Sequence, residues 1–221
     1  EEYSERDSKI LYDFYGKVRN YENVIIDIQD NYSGEQSYFI NNIVAPNISR
    51  ALSAKYYLLF KNGDNNMRFL RDRFDETKMK DISLLPHYEN INREDIEQLD
   101  KFVIQDFTIE PASNTKILNG KVWLLVNGKS YGASDKLANF CKQTGFATVV
   151  GTETAGNGLN IEPMLIVLPN SKLIVQYNAD YYLNEDGSCN VEYGTTPDIN
   201  VNGNEDILDR CLAEIEKIDL D

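Results

Sequence analysis

Lys121-Val122-Trp123-Leu124-Leu125-Val126-Asn127-Gly128-Lys129-Ser130-Tyr131-Gly132-Ala133-Ser134-Asp135 carries the strongest structural signal in the chain. Residues 122–127 form an apolar run that is too short and too rich in β-formers for a helix, so they read as a strand buried on both faces. The turn residues 128–132 follow, then a helix over 133–144, then a second strand over 147–151. A strand, helix and strand in that order imply parallel pairing, because a tight hairpin cannot return the chain in the same direction.

The same reading extends outward in both directions. Ile10, Leu11, Phe14, Tyr15 and Val18 recur at helical spacing, so residues 2–20 predict an amphipathic helix. Residues 24–28 predict a strand that ends in the turn cluster Asp30-Asn31-Tyr32-Ser33-Gly34, with a helix starting near residue 35. A further strand is expected over 54–60, helices over about 66–79 and 92–101, a hairpin of 164–168 with 172–177, and a final amphipathic helix ending near Ile218. The hairpin makes the expected sheet a mixed one, and no repeat or Pro/Gly-rich linker calls for a second domain within residues 1–221.

Composition narrows the function. The chain has 221 residues, 42% of them hydrophobic and 26% charged, which is an ordinary globular balance. Its formal net charge of −14 repels phosphate backbones and anionic lipid, so nucleic acid is not an expected partner. Apolar runs of about five residues fall far short of the ~20 needed to cross a bilayer. The opening Glu1-Glu2-Tyr3 contains neither a Met nor an apolar leader and reads as a mature piece or fragment of a longer chain. Three Cys without a C-x-x-C pair (Cys141, Cys189, Cys211) argue against a zinc site or a dense disulfide framework, and the single His87 limits internal Ser-His chemistry. Neither a metal nor an organic cofactor is expected. Asn31-Tyr32-Ser33 and Asn47-Ile48-Ser49 match the glycosylation tripeptide, a pattern that also arises often by chance.

Two strand-to-helix junctions, 27–34 and 127–135, are places where backbone N–H groups converge and can hold developing negative charge. Their surroundings resemble the C-terminal processing, or tail-specific, serine peptidase family. Val24-Ile25-Ile26-Asp27-Ile28 resembles that family's strand before a Gly-rich D-L-R-G-N-G-G-G loop. Gly145-Phe146-Ala147-Thr148-Val149-Val150-Gly151-Thr152-Glu153-Thr154-Ala155-Gly156 and Glu192-Tyr193-Gly194-Thr195-Thr196-Pro197-Asp198 look like later motifs in the family's order. The resemblance covers most of residues 22–200 and implies a crotonase-like α/β fold, a spiral of mainly parallel strands with flanking helices. It also implies acyl transfer on peptide bonds, a peptide or protein substrate, and a location outside the cytoplasm, either secreted or lipid-anchored.

The catalytic positions transfer one at a time. The family's nucleophilic Ser lies three residues before an acid; here the acid is Asp135 and the residue in the nucleophile's place is Gly132. The Lys of the Ser-Lys branch corresponds to Asn157, which cannot carry a proton as an amine does. The Glu of the other branch corresponds to Glu192, but no His precedes residue 27, and His87 reads as a loop residue beside Pro86. The implied oxyanion donors are Asn31, Gly34 and Ala133, in a loop where Asp30, Tyr32 and Ser33 replace Gly. Ser130 and Ser134 flank position 132, yet two residues turn a helix by ~200°, so Ser134 points elsewhere.

The reading is therefore a peptidase-family domain without its nucleophile, acting as a peptide- or protein-binding pseudopeptidase. One alternative is an active serine endopeptidase whose Ser at 132 has been replaced and whose His lies upstream. Another is a structural or oligomerisation module.

Overall fold

The computed structural model describes residues 2–32, 34–158 and 163–218. In chain order the main elements are α1 (Glu2–Val18), β1 (Asn23–Asp27), α2 (Gln36–Phe39), β2 (Leu52–Phe60), α3 (Asp64–Leu70), β3 (Lys80–Asp81), α4 (Arg93–Ile96) and β4 (Lys101–Ile109). There follow β5 (Lys121–Val126), α5 (Ala133–Thr144), β6 (Thr148–Gly151), β7 (Met164–Val167), β8 (Ile174–Tyr177), β9 (Asp180–Leu183), α6 (Asn190–Tyr193), β10 (Ile199–Asn200) and α7 (Ile207–Ile218). These elements form two compact units. The first comprises residues 1–54, 107–158 and 193–221, and the second residues 55–106 and 159–192.

The first unit is built on a parallel sheet of order β1-β5-β6-β10. Asn23 to Asp27 run beside Lys121 to Leu125, and Trp123 to Val126 run beside Thr148 to Gly151, so the β5-α5-β6 crossover forms as the apolar run predicts. Side chains alternate across the sheet. Trp123, Leu125 and Val150 pack with Val201, Cys211, Ile207 and Ile215, which places the apolar stripe of α7 on one face. Val122, Leu124 and Val126 are equally buried and point to the other face. The indole of Trp123 donates to the Asn23 side chain at 2.9 Å, which satisfies its single polar group. Beyond α2 the chain widens into a π-helical turn at Ile40–Val44 and then tightens into a 3₁₀ turn at Ala45–Asn47 rather than continuing as a regular helix.

The second unit holds an antiparallel sheet of order β3-β4-β2-β9 and a two-stranded hairpin, β7-β8. Leu59, Phe102 and Leu183 form its core with Tyr57, Ile82, Leu99 and Tyr181 around them. Several expectations are corrected here. The helix expected over 92–101 stops at Ile96, and residues 101–109 form β4 instead, because Phe102 and Val103 are needed as core β residues. The helix expected over 66–79 covers only Asp64–Leu70, with a short 3₁₀ turn at Glu76–Lys78. Parallel and antiparallel pairing also fall in separate sheets, where a single mixed sheet was expected.

Cys141, Cys189 and Cys211 are all unpaired and buried. Burial pushes the thiol of Cys211 up to about 11, so it stays protonated near neutrality. Asn47 is buried too, with its amide donating to the Ile43 carbonyl at 2.9 Å and its oxygen accepting from the Leu118 N–H at 3.2 Å. That side chain is a structural fastener, so it is not available for glycosylation in the folded chain. Asn31 is exposed, while Ser33 of its tripeptide lies outside the described residues.

Candidate functional site

At the C-terminal ends of β1 and β5, side-chain bonds tie two loops together. The Asn127 oxygen accepts from the N–H groups of Asp30 (3.1 Å) and Lys129 (3.0 Å), while its amide donates to the Asp30 carboxylate at 3.0 Å. The Asn127 amide and Lys129 hold that exposed carboxyl below the usual range. Ser130 is fully buried, and its hydroxyl donates to the Ile28 carbonyl at 2.9 Å while accepting from the Asn127 N–H at 3.1 Å. Both of its roles are structural, so it is not a free nucleophile. The Tyr131 N–H reaches the Asn31 carbonyl at 3.0 Å and completes the join.

Gly132 stands at the head of α5 with φ 63° and ψ −119°, a conformation that L side chains rarely adopt. Its N–H donates to the Gly156 carbonyl at 3.0 Å, and its own carbonyl accepts from Lys136 at 2.9 Å. A Cβ built at Gly132 would meet nothing within 4 Å, so the turn projects into open space. Of the implied oxyanion residues, Gly34 and Ala133 come together: a Cβ on Gly34 would lie 3.9 Å from that of Ala133. The Asn31 N–H is engaged at 3.3 Å with the Ile28 carbonyl, closing the turn. Ser134 is buried on the first turn of α5, with its N–H bonded to the Tyr131 carbonyl at 3.3 Å.

Asn157 adopts a left-handed backbone, φ 64°, and its side-chain amide donates to the Tyr131 hydroxyl beside Gly132. The position implied for a dyad base is thus joined to the nucleophile's loop, but by an amide. Glu192 lies on α6 in the second unit and is exposed, and its N–H is bonded to the Cys189 carbonyl at 3.1 Å. His87 is also in the second unit, in an exposed loop, with its ring 3.5 Å from the Arg93 guanidinium.

Sequence reasoning used Asp135 only as a marker of register and missed its role as an anchor. The carboxylate is completely buried and accepts from the hydroxyls of Thr154 (2.5 Å) and Thr195 (2.8 Å) and from the Gly158 N–H (3.0 Å). These donors come from loops 19, 60 and 23 residues away along the chain. One carboxylate therefore holds together the loops behind Gly132. The next residue, Lys136, has its ammonium 4.5 Å from the centre of the Phe107 ring. Burial lowers its pKa to about 8, because a desolvated ammonium is less stable than the neutral amine. Among the described residues no group of His, Cys, Asp and Glu is arranged to hold a metal ion.

A cavity of about 810 Å³ opens beside Gly34, Ala133 and Ser134. Its walls are β1, residues of α1 (Asp7, Leu11, Phe14, Tyr15), and Glu35 and Tyr38. The surface is largely apolar, and Asn31, Gly34, Ala133 and Ser134 of the two joined loops are part of its lining. Position 132 itself carries no side chain.

Comparison with solved structures gives mature CPAF at a TM-score of 0.56 and 16% identity, covering 89% of this chain and 42% of that one. The photosystem II D1 C-terminal processing protease matches at 0.50 and 15%, covering 89% and 39%. A lipoprotein from Streptococcus agalactiae matches at 0.52 and 11%, covering 95% and 62%. At such identities the likeness is one of fold, and this chain spans less than two thirds of each. No curated protein matches the sequence. Among the described residues no helix is long and apolar enough to cross a membrane. The model of peptidase family S41 matches residues 1–201, and the chain, with its mixed α/β architecture and parallel sheet, belongs to that family.

Proposed function

We propose that this chain is a peptide-binding pseudopeptidase of family S41, a crotonase-like domain acting outside the cytoplasm that holds an extended polypeptide without cutting it. The observation that carries this reading is the turn at Gly132. It keeps the strained backbone of a nucleophile-bearing turn, open space in front of it, and Gly34 and Ala133 beside it, yet it has no oxygen. Asn157 in the place of a dyad base points the same way, because an amide cannot take a proton from an attacking group. The flanking serines offer no substitute: Ser130 is consumed in the loop join, and Ser134, at the wall of the cavity, has neither a His nor a Lys among the residues that line it.

The test is turnover of fluorogenic peptides and labelling by a fluorophosphonate, run on the chain and on Gly132→Ser. The expected result is silence from both, because the variant gains a hydroxyl but no base. Hydrolysis by Gly132→Ser would overturn the reading. It would favour the second reading, in which a Ser at 132 has been replaced and a base is supplied from upstream; no atom lies within 4 Å of a Cβ there, although the φ of 63° strains any L residue at that position.

A further inference from the structure

Lys136 belongs to the first turn of α5, and its ammonium lies 4.5 Å from the centre of the Phe107 ring. That ring packs in edge geometry against Phe140, at 5.7 Å between centres, and against Phe39, at 6.4 Å. All four residues fall within the first unit, so the chain itself supplies the apolar surroundings. Three features disfavour the charged form of this amine. The rings displace water without offering an acceptor, and the cation–π contact returns only part of the lost hydration. The positive end of the α5 dipole is beside it, where an anion is favoured and a cation is not. Although Asp plus Glu number 36 against 22 Lys plus Arg, no ion pair or hydrogen bond reaches its Nζ among the described residues. The adjacent carboxylate of Asp135 is engaged by Thr154, Thr195 and the Gly158 N–H. Burial lowers the Lys136 pKa from 10.5 to about 8, so near neutrality far more of it is the nucleophilic free amine than of an ordinary lysine. The residue is only partly buried, which leaves room for a small molecule to reach it.

We propose that Lys136 is a reactive lysine that takes an apolar aldehyde as an imine, with the body of the aldehyde against the Phe107 and Phe140 rings. The neutral Nζ attacks the aldehyde carbon, a C=N bond replaces the C=O bond, and the carbonyl oxygen leaves as water with both hydrogens of the amine. The step consumes no oxidant or reductant. An apolar aldehyde suits the place because aromatic side chains, and no cation that would hold an anionic one, surround the nitrogen. The proposal does not depend on the peptide-binding reading, since it makes and breaks no bond of a polypeptide.

The probe is hexanal with sodium cyanoborohydride, which reduces each imine to a stable secondary amine, and peptide mapping by mass spectrometry locates the label. On the complete folded protein at neutral pH, Lys136 should be alkylated about tenfold faster or more than the exposed Lys78 and Lys172. In urea the three should react at similar rates. Phe107→Gln, which gives the ammonium an acceptor in place of the ring, should reduce the advantage by about threefold or more. Reaction of Lys136 no faster than Lys78 and Lys172 in the folded protein overturns the proposal. An advantage that persists in urea overturns it too, because the reactivity would then belong to the local sequence and not to the folded surroundings. An advantage unchanged in a folded Phe107→Gln variant removes the aromatic ring as its cause and overturns the assignment of the site.

Discussion

Two layers of the first unit lie one helical turn apart and differ in kind. Behind the turn, Asp135 is fully buried and receives three hydrogen bonds, so every group that it brings together has a partner. In front of it, Gly132 presents a strained backbone to empty space and no side chain at all. Under the proposed reading, the framework that shapes the site has been kept while the chemical group has been lost. The two layers answer to different physics. A buried carboxylate cannot be removed without leaving donors unpaired in a low-dielectric interior, whereas an exposed nucleophile contributes little to stability and can disappear without unfolding the chain.

The largest expected effect tests the hidden layer. Asp135→Ala should destabilise the chain by about 3 kcal/mol or more, because Thr154, Thr195 and the Gly158 N–H lose their shared acceptor. Urea melts would check this, and a loss below about 1 kcal/mol would mean that the loops hold without the carboxylate. Lys136 is next. Its folded pKa of about 8 lies below the unfolded value near 10.5, so below pH 8 both states are charged and the full burial cost is present. As pH rises from 8 to 10.5 the folded state releases its proton first and that cost disappears. Lys136→Met should therefore stabilise the chain by about 2 kcal/mol at pH 7, after allowance for the lost contact with the Phe107 ring, and by little above pH 10.5. Melts at the two pH values compare the variants directly.

The two serines beside the turn sharpen the contrast at smaller scale. Ser130→Ala should cost about 1 to 2 kcal/mol by leaving the Asn127 N–H without the acceptor that it uses in the buried join. Ser134→Ala should change stability by less than about 0.5 kcal/mol, since Ala is the better helix former and the hydroxyl anchors no neighbouring loop. Equal costs for the two would erase the distinction drawn between them.

Legibility in the sequence followed pattern strength. The β5-α5-β6 unit was readable because Val122 to Val126 form an unbroken apolar run and the helix period starts where that run ends. β4 was not, because Gln105 and Asp106 interrupt Phe102-Val103-Ile104 and the segment then reads as polar. β9 is short, and its Asp180-Tyr181-Tyr182 opening offers no clear alternation. In the candidate site, the resemblance to the serine peptidase family pointed to Gly132, Gly34 and Ala133. The role of Asp135 could not be read, because its partners Thr154 and Thr195 are distant in sequence and hydroxyls are common in any loop. Asn47 shows the reverse case, a surface-type tripeptide whose side chain is buried as a fastener for two backbone groups.

The account is tested most directly by titrating the unaltered chain with a labelled extended peptide and then recovering that peptide for mass measurement after prolonged incubation. Saturable binding with the peptide returned whole is the predicted result. A peptide returned in two pieces, with one water added across an amide bond, would contradict it.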